Sequence, residues 1–486
     1  MKKNFIPNLL SILALIGFIG TSTSTLTSCK KAEEPEPIVK PAELTKEQKW
    51  SKAIYDNMKE IYFWNDTLPK TFDPAKYTTP ENALEYLISI KINPNTGESI
   101  DHYSFLDNIG GLSGEISEGK ASGDYGFMIT AAYNESGKVS WYVTYVYKGS
   151  PAGNAGVRRS YEITAVNGNS AVNPEVSIDG YLVPESAGYT NVVNTLFDSE
   201  SARFTFKKDD GNLLEAQMSV TSYDIKSVLL DSIYTVGGKK AGYIVFNQFL
   251  GSSSVVELTQ TISKFESANV KYVIVDLRYN GGGSVGTCMT FSNMLAPAAA
   301  TGKVMFRYKL NKSLTAQENP DDLVAKFTKP NTLEPLELYF IVGGGTASAS
   351  ELLINNLKPY YPGKLFLIGN TTYGKPCGFW ATPIGYEEDQ TTTKEGYDMY
   401  AVSFETVNAN DEGAYYTGMT PSINVSDMIG YQWGDINEAR LGQALYHIAY
   451  GSFYTTKAAT GKNQALKSDI DRRFKGMIDF GKHPIK

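Results

Sequence analysis

The chain has 486 residues, 42% of them hydrophobic, and a formal net charge of −7. That length supplies roughly three domains with ample core, and the acidic balance argues against a nucleic-acid partner. Three cysteines and three histidines are too few for a disulfide framework or a paired-histidine metal site, so no metal is expected.

Lys2 and Lys3 precede an apolar stretch over residues 5–20, interrupted by Pro7 and Asn8 and short for a spanning helix. This pattern predicts a signal peptide over residues 1–28. Leu26-Thr27-Ser28-Cys29 resembles a bacterial lipobox, and the resemblance implies lipidation at Cys29. Such a lipoprotein would sit in the bacterial cell envelope, on the periplasmic or the surface face of the outer membrane. Residues 29–44 then read as a charged, proline-containing tether that does not fold.

Within residues 45–117, the apolar residues of positions 50–64 recur at helical spacing, predicting a small helical domain. His102 lies far in sequence from any catalytic-looking turn and reads as structural.

Residues 118–225 carry Gly123-Asp124-Tyr125-Gly126-Phe127, then Gly149-Ser150-Pro151-Ala152, then Val166-Asn167-Gly168, set among strand-like runs. These blocks resemble a PDZ domain. Such domains bind extended peptides by adding a strand to an open sheet edge and capture a terminal carboxylate on backbone N–H groups. By resemblance Gly123, Tyr125, Gly126 and Phe127 form that loop. Ser160-Tyr161 replaces the Gly-Asp usual in the family's segment.

Residues 226–430 alternate strand-like and helix-like runs. The run Leu338-Tyr339-Phe340-Ile341-Val342 reads as a buried strand, Gly343 to Gly345 allow a sharp turn, and residues 351–357 have the spacing of an amphipathic helix. Ser348 therefore falls at a strand-to-helix turn, where free N–H groups and the helix dipole favour an oxyanion. Serine needs a base to become a nucleophile. Lys375 follows the apolar run 365–368 and a polar loop, and burial of a lysine lowers its pKa enough to leave a neutral amine. Glu351, one turn beyond Ser348, is placed to orient the pair.

These residues resemble the carboxyl-terminal processing peptidases, or tail-specific proteases, a family of Ser-Lys endopeptidases. The resemblance rests on Ala347-Ser348-Ala349-Ser350-Glu351, on Tyr373-Gly374-Lys375, and on Asp276-Leu277-Arg278-Tyr279-Asn280-Gly281-Gly282-Gly283. It implies Ser348 as nucleophile, Lys375 as general base and Glu351 as accessory acid, with oxyanion N–H groups from Gly283 and Ala349 and no cofactor. Family members place a Gln four residues after the lysine, where this chain has Phe379. Two other readings of the glycine-rich loops fail. Residues 369–375 satisfy a P-loop only up to Pro376, which replaces the magnesium-binding Ser/Thr, and residues 280–285 do not give the dinucleotide-binding pattern.

Residues 431–486 are expected to form a C-terminal helical segment, with Leu441, Leu445 and Ile448 on one face. Cys288 and Cys377 read as two buried free thiols near the site, with pairing in an oxidising envelope as the alternative. The fold expected is multidomain α+β: a helical N-terminal domain, a PDZ-like β-rich domain, an α/β core that the resemblance makes ClpP/crotonase-like, and a C-terminal helix. The function expected is an envelope serine endopeptidase acting on protein or peptide substrates selected through their C-termini. The alternative is a catalytically impaired peptide-binding or scaffold lipoprotein with the same fold.

Overall fold

Strands of the central region send alternate side chains into two apolar layers, and this alternation builds the sheet that positions the site. The computed structural model describes residues 43–93, 97–134, 136–385, 395–454, 465–466 and 470–481. The expected signal peptide, Cys29 and nearly all of the tether lie outside the described residues. In the central sheet the strand order is Ile423–Asn424, Leu365–Gly369, Glu337–Val342, Tyr272–Asp276, Lys239–Phe246 and Val228–Val236. Every neighbouring pair is parallel except the last.

Leu338, Phe340 and Val342 join one apolar layer while Tyr339 and Ile341 join the other. The first layer is covered by helices Ser252–Ser267, Val285–Leu295 and Ala349–Leu357. The second is covered by helix Ala439–Tyr450, whose Leu441, Leu445 and Ile448 cluster with Tyr243, Ile274 and Ile341. A parallel sheet with apolar strands requires cover on both faces, and these helices provide it. Loops from the carboxyl ends of three adjacent parallel strands then converge, which is where open α/β sheets place their ligand sites.

A second sheet abuts those loops, in the order Gly282–Ser284, Gly476–Ile478, Cys377–Phe379, Val402–Asn408, Val304–Lys309 and Val324–Lys326. The segment expected to be helical after residue 431 is so over Ala439–Tyr450, but Gly476–Ile478 is a strand. The reason is tertiary: Gly282–Ser284 offers an unfilled edge, and the tail pairs with it in parallel.

Helix Lys46–Ile61 begins at a capping box formed by Thr45 and Gln48. Its Ile54, Met58 and Ile61 share one apolar cluster with the central core, and strand Phe105–Asn108 pairs with Tyr397–Tyr400. The residues 45–117 therefore pack as part of the core's own apolar cluster.

Residues 120–224 leave and rejoin this body through an antiparallel pair, Lys120–Asp124 with Thr221–Asp224. Between them lies an antiparallel five-stranded sheet with Phe127–Tyr133 at one edge. Trp141, Phe204 and Phe206 fill its core, and helix Ala187–Asp198 contributes Val192, Val193 and Leu196. Where Gly is usual, Ser160 holds a left-handed φ of 73°. Gln432 Nε2 donates to its hydroxyl at 2.8 Å, one of the contacts that retain this backbone without glycine.

Candidate active site

Strand Glu337–Val342 ends in a turn that delivers Ser348 to the N-terminus of helix Ala349–Leu357. Ser348 has φ 57° and ψ −106°, a conformation that costs a non-glycine residue on the order of 1–3 kcal/mol and is found where surrounding bonds enforce it. The enforcing bonds are present. Ala347 N–H donates to the Asn280 carbonyl at 3.0 Å, and Leu352 N–H donates to the Ser348 carbonyl at 2.7 Å.

Glu351 joins the two halves of the site. Its carboxylate accepts the N–H of Ser348 at 2.8 Å and of Lys375 at 2.9 Å on one oxygen. The other oxygen accepts the N–H of Gly374 at 2.8 Å and the Thr372 hydroxyl at 2.5 Å. Burial pushes the Glu351 carboxyl up, while these four donors pull the other way. Since every partner is a donor, the ionised form is the one this geometry serves.

Lys375 follows strand Leu365–Gly369, the parallel neighbour of the strand that delivers Ser348. It is 2% exposed, and burial brings its ammonium down to about 8, against the opposing pull of Cys377, Asp101 and Glu351. Where the family places a Gln, the Phe379 ring centroid lies 4.0 Å from Lys375 Nζ, with Tyr103 at 5.0 Å and Phe474 at 5.5 Å. Lys375 Nζ donates to the Lys475 carbonyl at 2.8 Å, and Ser348 Oγ lies 3.5 Å from the Cys377 carbonyl. Each of the two polar groups is thus turned to a backbone carbonyl.

The loop of Gly281 to Gly283 follows strand Tyr272–Asp276. Gly282 and Gly283 have φ of 111° and 130°, and a Cβ on Gly282 would meet the Ala349 nitrogen at 3.1 Å, so this loop needs glycine for both conformation and space. Asn280 shapes it: its side chain accepts the Gly282 N–H at 2.9 Å and donates to the Phe246 carbonyl at 2.9 Å. Its carbonyl also accepts from the Ser350 hydroxyl at 3.0 Å. Beneath the loop, Arg278 donates to Asp276 at 2.8 Å, to Asp427 at 2.9 Å and to Glu438 at 2.9 Å, all buried. Arg159 of the five-stranded module reaches the same Asp427 at 3.3 Å.

The loop with Gly123, Tyr125, Gly126 and Phe127 lies beside this site. Tyr125 and Phe127 line a cavity of about 770 Å³ together with Tyr103, Lys375 and Phe474. Gly126 has φ 77°, and a Cβ there would lie 2.0 Å from the Ser150 Cβ. Its N–H, however, is donated to Asp124 Oδ1 at 2.6 Å, and Asp124 also accepts from the Tyr223 hydroxyl at 2.7 Å. That N–H is engaged from within, and an entering carboxylate would face Asp124.

Ser348, Glu351, Lys375, Gly283 and Ala349 therefore meet at one place, with the Gly123 to Phe127 loop on the wall of the adjoining cavity. His102 lines the same cavity; burial lowers its pKa, and the Lys375 charge adds to this while Asp101 opposes it. Cys288 and Cys377 are buried free thiols, and burial pushes both up. Among the described residues no group of three or more His, Cys, Asp or Glu side chains could hold a metal ion. Sequence reasoning gave no role to Asn280, Thr372 or Tyr103, although Tyr103 donates its hydroxyl to the Gly374 carbonyl at 2.9 Å. Asn280 and Thr372 lie inside the quoted motifs, so polar side chains beside the glycines were the available signal. Nothing in the sequence marked Phe474 or Lys475.

Comparison with known proteins gives matches to peptidase family S41 over residues 240–424 and to the peptidase S41 N-terminal domain over residues 47–105. A probable CtpA-like serine protease of Staphylococcus aureus (strain N315) is 27% identical over 233 residues, covering 48% of this chain and 41% of the relative. A similar protein of Staphylococcus epidermidis is 23% identical over 372 residues, covering 76% of this chain and 65% of the relative. The chain thus spans about 41% of the S. aureus relative's length. The crystal structure of a Bacteroides fragilis NCTC 9343 protein designated an S41 protease superposes with a TM-score of 0.63 at 22% identity. It covers 82% of this chain and 97% of its own, a likeness of fold.

Proposed function

The chain belongs to peptidase family S41, and from that premise we propose that it is a serine endopeptidase with Ser348 as nucleophile and Lys375 as general base. The observation that carries this reading is the shared carboxylate: Glu351 accepts the backbone N–H of both Ser348 and Lys375. It fixes the two residues relative to each other while leaving their reactive side chains unspent on it.

In this mechanism neutral Lys375 takes the Ser348 hydroxyl proton as Oγ adds to a substrate carbonyl. The N–H groups of Gly283 and Ala349 receive the developing oxyanion, as preorganised donors in a water-poor site. Lys375 then protonates the departing amine, and water hydrolyses the ester. Glu351 holds the backbone of both partners and does not exchange the proton.

Substrates in this reading are proteins or peptides whose extended segments, close to their C-termini, add along Phe127–Tyr133, an edge strand of a PDZ-like module. The support is topological: that strand is an edge, and Val192, Val193 and Leu196 of the neighbouring helix supply an apolar wall. Lipidation at Cys29 would hold the enzyme in the cell envelope; its support is the lipobox-like Leu26 to Cys29 sequence.

The test is degradation of an unfolded reporter protein. Ser348→Ala and Lys375→Arg should both lose cleavage while melting as the wild type does, because a guanidinium cannot act as a base. Either variant keeping most of its activity would remove the dyad. For the anchor, a fatty-acid analogue should label the wild type and not Cys29→Ala, and equal labelling would remove it.

A further inference from the structure

We propose that the chain's own C-terminal segment is a substrate of this site, cleaved between Gly476 and Met477. This rests on the reading of Ser348 and Lys375 as a dyad and goes beyond it by identifying a bond.

The segment follows the route proposed for substrates. Ala465 bridges antiparallel to Ala132, and Leu466 N–H donates to the Ala131 carbonyl at 2.8 Å, both on the edge strand Phe127–Tyr133. Leu466 and Ile470 join the apolar cluster of Ile129, Val192 and Leu196. Arg473 stacks 4.5 Å from the Tyr145 ring and donates to the Tyr279 carbonyl at 2.6 Å, turning the chain toward the oxyanion loop. Lys475 then offers its carbonyl to Lys375 Nζ.

Register identifies the bond. Gly282, Gly283 and Ser284 pair in parallel with Gly476, Met477 and Ile478. A parallel ladder admits two hydrogen-bond phasings. One would use the N–H groups of Gly282 and Ser284, but these are donated to Asn280 Oδ1 at 2.9 Å and to the Phe249 carbonyl at 2.7 Å. The other phasing remains, in which the Gly283 N–H faces the Gly476 carbonyl. A Cβ on Gly282 would lie 2.3 Å from the Gly476 oxygen and 3.1 Å from the Ala349 nitrogen, so both atoms border the same glycine. The residues beyond are held as firmly. Met477 and Ile478 are buried, and Asp479 accepts the Tyr308 hydroxyl at 2.7 Å.

The Gly283 N–H is the donor that the proposed chemistry uses, and the tail strand occupies it. While it is in place Ser348 is 0% exposed, so the tail stands where any other substrate must enter. Turning Ser348 Oγ from the Cys377 carbonyl to Lys375 Nζ starts the reaction. Oγ adds to the Gly476 carbonyl carbon as its proton passes to neutral Lys375. The carbon–nitrogen bond to Met477 breaks as that proton reaches the Met477 nitrogen. Water then opens the Gly476 ester, restoring the Ser348 hydroxyl and leaving a Gly476 carboxyl.

Intact-mass measurement of the purified full chain tests this, with the reporter assay run beside it. The wild type should lose residues 477–486 with a half-time independent of its concentration, and Ser348→Ala should keep them. Gly476→Val should also keep them, because a Cβ there would meet the Phe474 ring at 2.2 Å and Lys375 Nζ at 3.0 Å; its melting curve checks the fold. A wild type that degrades the reporter yet retains its full mass overturns the proposal alone. Loss of both activities removes the dyad reading, and the proposal with it. Cleavage at another bond overturns the register, and a half-time shortening in proportion to concentration transfers the substrate to a second copy and overturns the intramolecular route.

Discussion

Lys375 Nζ lies 4.0 Å from the centroid of the Phe379 ring, so an aromatic face stands where the family resemblance implies an amide. An amide would hydrogen-bond the ammonium directly. A ring attracts it by its quadrupole while contributing little solvation, and burial dominates the outcome, with Lys375 brought to about 8.

Catalysis should therefore be weak when Lys375 is charged and rise as pH increases through about 8, since only the neutral amine accepts the Ser348 proton. Phe379→Leu preserves burial and removes the ring face. Because cation–π contacts favour the charged form by about 0.5–2 kcal/mol, the midpoint should fall by roughly 0.4–1.5 pH units. The pH profile of kcat/KM on a peptide reporter reads both, and an upward shift in the variant would show that the ring acts on Lys375 chiefly through desolvation.

Glu351→Gln should damage the site by an identifiable route. Four donors converge on this carboxylate, and an amide group must turn its own NH2 toward at least two of them. An unsatisfied buried donor costs about 1–3 kcal/mol, which should appear as a lower Tm. The fall in kcat should exceed any rise in KM, because Glu351 sets the backbone of Ser348 and Lys375 and does not face the substrate.

The distribution of what the sequence disclosed follows from range. Ser348, Glu351 and Lys375 were legible because strand, turn and helix signals surround them within a few residues, and the Glu351 clamp closes over 24 residues. Arg278 was quoted in its motif without a role, because its partners Asp427 and Glu438 lie 149 and 160 residues away. Strand Gly476–Ile478 spans three residues, too short to show a period of two, and it forms through pairing with Gly282–Ser284 and Cys377–Phe379, both distant in sequence. The Gly123 to Phe127 turn was legible from its glycines. The engagement of the Gly126 N–H by Asp124 was not, since it depends on a side-chain rotamer.

The buried cluster under the Gly281 to Gly283 loop should govern acid stability. Burial raises the Asp427 carboxyl, but Arg278, Arg440 and Arg159 outweigh it and hold the group well below the usual carboxylate range. A depressed folded pKa contributes stability above the unfolded value of about 3.9 and loses it as pH falls toward the folded value. Asp427→Asn should cost about 3–5 kcal/mol at neutral pH by leaving buried guanidinium groups uncompensated. In urea unfolding, the gap between wild type and variant should narrow as pH drops below about 4; a constant gap would assign the acid sensitivity to other carboxylates.

The edge-strand groove should read side chains and backbone more than a terminal charge. In the Gly123 to Phe127 loop the Gly126 N–H is donated to Asp124, so a ligand carboxylate would lose that donor and meet a neighbouring negative charge. Peptides differing only in a free or amidated C-terminus should bind the full-length Ser348→Ala chain with affinities within about threefold, under 1 kcal/mol. The variant should also carry Leu466→Asp, which removes an apolar contact of the chain's own tail with the groove and should strengthen binding of both peptides by easing competition. Adding Asp124→Asn removes the negative charge and should restore a preference for the free acid. If the free acid already binds tenfold more tightly before that change, Asp124 swings away from Gly126 when a ligand enters, and the loop captures carboxylates.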